Sequence, residues 1–380
     1  MKRTTNLCIA FLFLSVTTGC WNLEEPDQLS FVTGAGLDLT EDGKLEASYL
    51  VVLPASLGSG QISGGENKNS FQVMSATGKN VSDAMVNVQS KLSRKVFSGH
   101  RDIFLVGQRL AEHGMGKTID PFLRIPKSEM RSMIYVVKNG KPKDVFSIVP
   151  FFDRFITTSL SDEQKAIGLK PYLAREFVVD VLSEGKQPLV PVVGLNPSGH
   201  YSYRGSGIFN KADNVKLVGF LNMKETAYAR WITNDLTRVT LTSSIPKEDG
   251  SISLTLHSLD QNIHVQKIDE QLQITVQLSG KGTIIENTTN LDPTKQKDLQ
   301  LIQDELNQKN QKLVHKIIKK VQEEYKMDIF GFGEQVHQQS PQQWKSLKQN
   351  WTETFSQLNV SVKVDLQCTN LGQTDSSIYP

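Results

Sequence analysis

Apolar positions along this chain change period several times, and the changes mark its elements. Ser30–Asp38 and Leu45–Val52 each carry a partly alternating apolar run, and Glu41-Asp42-Gly43 lies between them. An Asp-Gly pair between two such runs predicts a β-hairpin. The polar Gly/Ser segment Gly58–Gly65 has too few apolar residues to pack and is expected to form a surface loop before a strand at Phe71–Met74. Val81, Ala84, Met85, Val88 and Leu92 then recur at spacings of three and four behind Asn80 and Ser82. That period predicts an amphipathic helix with one of the two polar residues as its cap.

A strand over Asp102–Val106, short helices around Gln108–Leu110 and Ile119–Leu123, a strand at Met133–Val137 and a helix over about Leu173–Leu182 follow. Such mixed order without a repeat points to an α+β fold of several domains, with mixed sheets and packed helices, and not to a barrel. Pro, Gly and Ser gather between Pro191 and Gly207, which suggests a boundary there. The expected units are residues 1–19, a region 20–196 of two subdomains, and a C-terminal domain 197–380.

Beyond the boundary, Ile252–Leu256 and Leu272–Leu278 alternate as strands of an antiparallel sheet with one buried face. A single long helix is predicted from about Asp292 to Lys326, with Leu299, Ile302, Leu306, Leu313, Ile317 and Val321 as its stripe. At 1.5 Å per residue it spans roughly 45–50 Å. Asn310 interrupts the stripe and a strand comes later, which favours packing along the domain's own sheet over a coiled coil. Gly331 and Gly333 suit a helix stop. A helix through Trp344, Leu347, Trp351 and Phe355 and a strand at Val360–Leu366 complete the pattern.

The first residues change the picture. Met1-Lys2-Arg3 precede the apolar run Leu7–Leu14, small residues continue to Gly19, and Cys20 follows. This is the order of a signal peptide, and its apolar run is too short to span a bilayer. A Cys directly after the small residues predicts cleavage before Cys20 and conversion of Cys20 to an N-acyl, S-diacylglyceryl cysteine. Thr17 stands where a Leu is commoner in such sites. The two acyl chains of the diacylglyceryl group alone hold a protein to a membrane far better than a single chain. Cys8 then leaves with the signal peptide and Cys368 has no partner, so the mature chain forms no intrachain disulfide. Forty-two Lys and Arg nearly balance 40 Asp and Glu, which gives no basic field for nucleic acid.

Catalytic chemistry finds no support. Gly116-Lys117-Thr118 resembles the end of a phosphate loop, but the loop's first glycine would fall at Ala111, in residues of helical pattern. His100 and His113 stand outside any zinc spacing, and Cys368 has no nearby His. Glu24-Glu25 and Glu323-Glu324 lie in solvated contexts. No cofactor or metal is expected, and no enzymatic activity.

Four ordered segments carry a resemblance: Gly19-Cys20-Trp21-Asn22-Leu23-Glu24-Glu25, Gly99-His100-Arg101-Asp102-Ile103-Phe104-Leu105-Val106-Gly107, Asp120–Arg124 with Met130-Arg131, and Met327–Gly333 followed by Trp344 and Trp351. Together they resemble the Ger(x)C family, the lipoprotein C subunits of spore nutrient germinant receptors; Asn22 stands where the family more often has Asp. The resemblance implies a three-part α+β protein without chemistry of its own. It would dock with two integral-membrane partners, an A and a B subunit, at the inner membrane of the dormant spore, and be needed for the response to nutrients. Residue by residue, Gly99 and Gly107 fit strand-end turns, Trp344 and Trp351 core anchors, and Arg124 and Arg131 partners for carbonyls or acids, so Cys20 alone is named as a site. A solute-binding lipoprotein of a transporter is the alternative; its two similar lobes find no match in the dissimilar halves here. A secreted hydrolase would need convergent His, Asp or Glu in a pocket.

Overall fold

The computed structural model describes residues 25–53, 70–124, 130–196, 199–245, 249–268 and 271–370. The expected loop at Gly58–Gly65 lies outside them. The first half contributes strands β1 (Leu29–Leu39), β2 (Leu45–Val52), β3 (Phe71–Gly78), β4 (Lys95–Phe97), β5 (Ile103–Gly107), β6 (Met133–Lys138) and β7 (Leu189–Leu195). Its helices are α1 (Val81–Gln89), α2 (Gln108–His113), α3 (Gly116–Arg124), α4 (Pro142–Phe146), α5 (Ile156–Ala166) and α6 (Ala174–Leu182). Two more strands, β8 (Tyr201–Asn210) and β9 (Lys216–Leu221), finish a sheet of order β3-β2-β1-β5-β6-β7-β8-β9, with β4 beside the start of β1.

β1, β5, β6 and β7 run parallel at the centre, and antiparallel strands close both sides. Parallel strands covered on both faces need apolar residues at every position, and all of Ile103–Gly107 and Met133–Val137 are buried. Side chains alternate between faces. Ile103, Leu105 and Tyr135 pack with Phe146, Ile156 and Leu160 of α4 and α5, while Phe104, Val106 and Ile134 pack with Ala84, Leu110 and Phe177 of α1, α2 and α6.

The expected boundary meets a continuous sheet. β7 pairs with β8 from Leu189↔Ile208 to Leu195↔Tyr201, so the boundary falls between two paired strands of one sheet. Pro191, Gly194, Gly205 and Gly207 belong to a bulged antiparallel pair, with a register shift at Val192/Val193 and Gly205 at φ 118°. Pro191 sits within the ladder.

Helix α7 (Met223–Ile232) joins the halves. It lacks an amphipathic stripe because Thr226 and the run Tyr228–Ile232 are all buried, which hides it from a periodicity test. Its start carries a capping box that does show in sequence: Asn222 Oδ1 accepts from Glu225 N at 2.9 Å, and Glu225 Oε2 accepts from Asn222 N at 3.0 Å.

The second sheet has the order β10-β11-β12-β13, from β10 (Val239–Ser244), β11 (Ser251–Ile268), β12 (Gln271–Asn287) and β13 (Asn359–Asn370). The first three are antiparallel as expected; β13 joins β12 in parallel. A parallel return needs a long crossover, and α8 (Gln296–Lys320) supplies it. α8 packs on its own sheet: Asn307 and Gln303 side chains accept from the backbone N–H of Leu366 and Cys368, at 2.7 and 2.9 Å. The helix passes through a π-turn at Val321–Tyr325 and stops at Lys326 in the left-handed region, φ 56°, five residues before Gly331. Helix α9 (Phe332–Gln339) follows, and the expected helix through Trp344, Leu347, Trp351 and Phe355 is divided into α10 (Pro341–Leu347) and α11 (Trp351–Gln357).

Candidate functional site

The C-terminal signature folds around one carboxylate. Asp328 is 3 % exposed. Its Oδ1 accepts from the backbone N–H of Phe330, Gly331 and Phe332 at 3.2, 3.0 and 3.1 Å, and its Oδ2 from Gly333 N–H at 2.8 Å and Trp351 Nε1 at 3.0 Å. Burial pushes its pKa up to about 6, against the downward pull of those donors. Gly333 leaves no room for a Cβ, which would lie 2.8 Å from Gly185 Cα and 2.8 Å from the Trp351 indole nitrogen. Gly331 and Gly333 therefore close a nest around Asp328, and the helix stop belongs to Lys326.

This nest ties the C-terminal helices to the first half. Gln187 N–H donates to the Asp328 carbonyl at 2.8 Å, and Trp344 Nε1 donates to Glu184 at 3.0 Å, with Lys348 also on Glu184 at 3.3 Å. Trp344 and Trp351 meet edge to face at 5.3 Å, so both are anchors of this junction. Beside it Lys186 pairs with Asp180 at 3.0 Å, Tyr172 O–H donates to the same carboxylate at 2.7 Å, and Lys211 reaches the Ser183 and Lys186 carbonyls. Burial lowers the Lys211 pKa. Sequence patterns show the tryptophans but give no hint of Glu184, whose role exists only across the junction.

The Gly99–Gly107 segment enters and forms β5. Gly107 has an extended φ of −63°, so it is required by space: a Cβ there would fall 2.0 Å from Asp38 Cγ. Asp38 Oδ1 in turn accepts from Leu110 N–H at 3.4 Å at the start of α2. Arg101 is buried over the Phe104 ring, 5.3 Å from its centroid. His100 is exposed and lies edge to face with Phe97 at 5.5 Å.

His100, Arg101, Asp102, Arg131, Thr158 and Lys165 rim an open cleft of about 600 Å³ at the end of the sheet where the parallel strands begin. Its lining mixes both signs of charge with the hydroxyls of Thr157, Thr158 and Ser161. The side chain of Arg124 lies outside the described residues.

The remaining candidates stand apart. Gly116-Lys117-Thr118 opens α3 directly behind helix α2, with Ala111 buried inside that helix, so no phosphate cradle forms. Burial raises the Cys368 thiol to about 11, far from a reactive thiolate. Among the described residues no group of three His, Cys, Asp or Glu side chains is placed to hold a metal ion, and no helix is long and apolar enough to cross a membrane. Cys20 lies outside the described residues; the chain enters the described structure at Glu25 and leads through a short 3-10 turn, Pro26–Gln28, into β1.

Comparison with known proteins agrees with this anatomy. Residues 22–195 match the spore germination protein N-terminal domain and residues 204–372 the spore germination B3/GerAC-like C-terminal domain. The two matches meet near the β7–β8 connection. The chain is 24 % identical to the putative spore germination protein YfkR of Bacillus subtilis (strain 168), with 95 % of each chain covered. It is 26 % identical to that organism's spore germination protein B3 over 98 % of this chain and 99 % of the relative. Spore germination protein KC of the same organism is 22 % identical, over 100 % and 98 %. The crystal structure of the GerBC protein superposes with a TM-score of 0.61 at 21 % identity, over 92 % of this chain and 100 % of that one. With both domain models matched in order along nearly the whole length after residue 21, the chain belongs to the GerAC-type spore germination protein family.

Proposed function

We propose that this protein is the lipid-anchored C subunit of a spore nutrient germinant receptor, held to the outer face of the membrane through Cys20 and docking with integral-membrane A and B subunits. The observation that carries the reading is the pair of germination-domain matches, the first of which begins at residue 22, just past Cys20. Removal of residues 1–19 leaves every matched residue in the mature chain. Germination proteins B3 and KC align along almost their whole lengths, which supports a shared role. The task assigned is docking: two of the described polar clusters, the Asp328 nest and the Asp180–Lys186–Lys211 group, close on themselves and hold the body rigid. Tethering by lipid raises the effective concentration at a membrane partner without any new contact.

The test is made in spores that retain this chain and its own A and B subunits as their sole nutrient receptor. Deleting the gene is expected to abolish the nutrient response while leaving germination by exogenous dipicolinate intact, and the detergent-solubilised wild-type chain is expected to co-purify with the A and B subunits. Spores that germinate normally on nutrients without the chain would contradict the assignment.

A further inference from the structure

The connection from α4 to α5 carries two phenylalanines that no described residue covers. Phe151 is 92 % and Phe152 91 % exposed, beside Val149 at 72 %. The two rings meet edge to face at 4.7 Å, forming one apolar knob. Single exposed apolar side chains are ordinary on a protein surface, but adjoining, almost fully exposed rings are a liability unless a surface receives them.

The base of the knob is fixed. Ile148 N–H donates to the Val145 carbonyl at 3.1 Å, Ser159 Oγ donates to Asp153 at 2.5 Å, and the Phe155 ring packs on Phe71 at 6.3 Å.

Sheet register gives the knob its place. Phe71 pairs with Val52, and the neighbouring Val51 pairs with Val32 near the start of β1. The knob therefore lies at the sheet end where the chain comes in from Cys20. The five residues from Cys20 to Glu25 reach at most about 17 Å. Only Asp153 and Arg154 separate Phe152 from Phe155, a span of about 10 Å when extended. Charge at this end is mixed: Arg94, Lys95 and Arg154 stand with Glu25, Asp27 and Asp153, and the cleft at the same end brings Arg131 and Lys165 with Asp102 and Asp162, so it selects no anionic surface.

We infer that the Val149–Phe152 knob inserts into the interfacial region of the bilayer that holds the tether, as a second, apolar contact that fixes how the body faces the membrane. This rests on the reading of Cys20 as the anchor. Aromatic rings on a short loop suit the headgroup–acyl boundary, and the mixed charge makes the contact independent of lipid charge.

The test replaces the natural anchor so that the two readings separate. The chain from residue 20 onward, carrying Cys20→Ser, Phe152→Trp and an N-terminal hexahistidine tag, is bound to phosphatidylcholine vesicles doped with a nickel-chelating lipid. The same chain without Phe152→Trp supplies the background from the other four tryptophans. The introduced indole is expected to shift its emission to the blue on vesicle binding and to be quenched by brominated phosphatidylcholine, equally with and without added phosphatidylglycerol. Three results would overturn the inference: unshifted, unquenched emission on tethered protein; an indole already shielded without vesicles, which means the chain covers its own knob; or shielding that appears only when receptor membrane subunits are present and resists brominated lipid, which means a protein partner receives it. Acylation of Cys20 is read separately, by intact mass of the protein from cells, and its failure leaves the vesicle result standing.

Discussion

Asp328 shows how a single buried charge can organise a segment. Five donors converge on it, and an Asn side chain, which offers the same shape with one acceptor replaced by an NH2 group, would turn donors toward Gly333 N–H and Trp351 Nε1. Orphaning buried donors costs about 1–3 kcal/mol each, so Asp328→Asn is expected to destabilise the fold by about 2–4 kcal/mol at acid pH, seen as a lower urea midpoint. The pH dependence has a definite sign. The folded pKa is raised from 3.8 to about 6, so the folded state holds this proton more firmly than the unfolded chain between those values, and the group's contribution to stability falls as pH rises through that window. The deficit of the variant is therefore expected to narrow from about pH 4 to about pH 6 and then stay constant. A deficit that widens over the same range would refute the raised pKa. At Gly333 the constraint is steric, since Gly185 and Trp351 stand where a Cβ would go. Gly333→Ala should lower the thermal midpoint by several degrees, while Gly43→Ala, with open space around it but φ 76°, should cost only backbone strain of about 1 kcal/mol.

At the scale of elements, Asn310 explains itself once α7 is in view. It is 1 % exposed in the middle of the α8 stripe; its Oδ1 accepts from Tyr228 O–H on α7 and its Nδ2 donates to the Leu306 carbonyl at 2.7 Å. One polar position in an apolar stripe thus fixes how two helices meet. Asn310→Leu leaves the Tyr228 hydroxyl buried without a partner and should cost about 1–3 kcal/mol. Adding Tyr228→Phe should recover most of that, giving a coupling of at least about 1 kcal/mol in a double-mutant cycle. Additive effects in denaturant unfolding would show that the two residues do not work as a pair. The same pair explains what could and could not be read from sequence. The β1–β2 hairpin, the α1 cap at Asn80, the central strands and the stripe of α8 were legible, because each follows from local period or turn chemistry. α7 was not, because a helix buried on most sides has no stripe. At the Pro/Gly/Ser run, sequence alone does not show that the strands on either side, β7 and β8, pair within one sheet.

Across the whole molecule, one apolar core runs from Ile103 and Leu105 of the first sheet through Tyr228 and Trp231 of α7 to Ile274, Ile302 and Trp344 of the second half. Two matched domains sharing a core are expected to unfold together, so a single calorimetric transition should be seen, and two well-separated transitions would contradict a shared core. The family was legible through motifs spread along the chain more than through any site. The junction built from Glu184, Gln187, Asp328 and the two tryptophans explains the C-terminal signature as architecture. The exposed phenylalanines, by contrast, could not be told from core residues before the fold was known.

The central claim is that Cys20 carries the lipid that holds a germination subunit at its membrane. The most direct measurement compares wild type with Cys20→Ala in sporulating cells, taking intact mass, membrane partitioning and nutrient germination of the resulting spores together. The account predicts a mature N-terminal Cys20 bearing a diacylglyceryl mass, release of the Cys20→Ala protein from the membrane, and a weakened nutrient response. An unmodified Cys20, or a Cys20→Ala protein that stays on the membrane in spores that germinate normally, would contradict it.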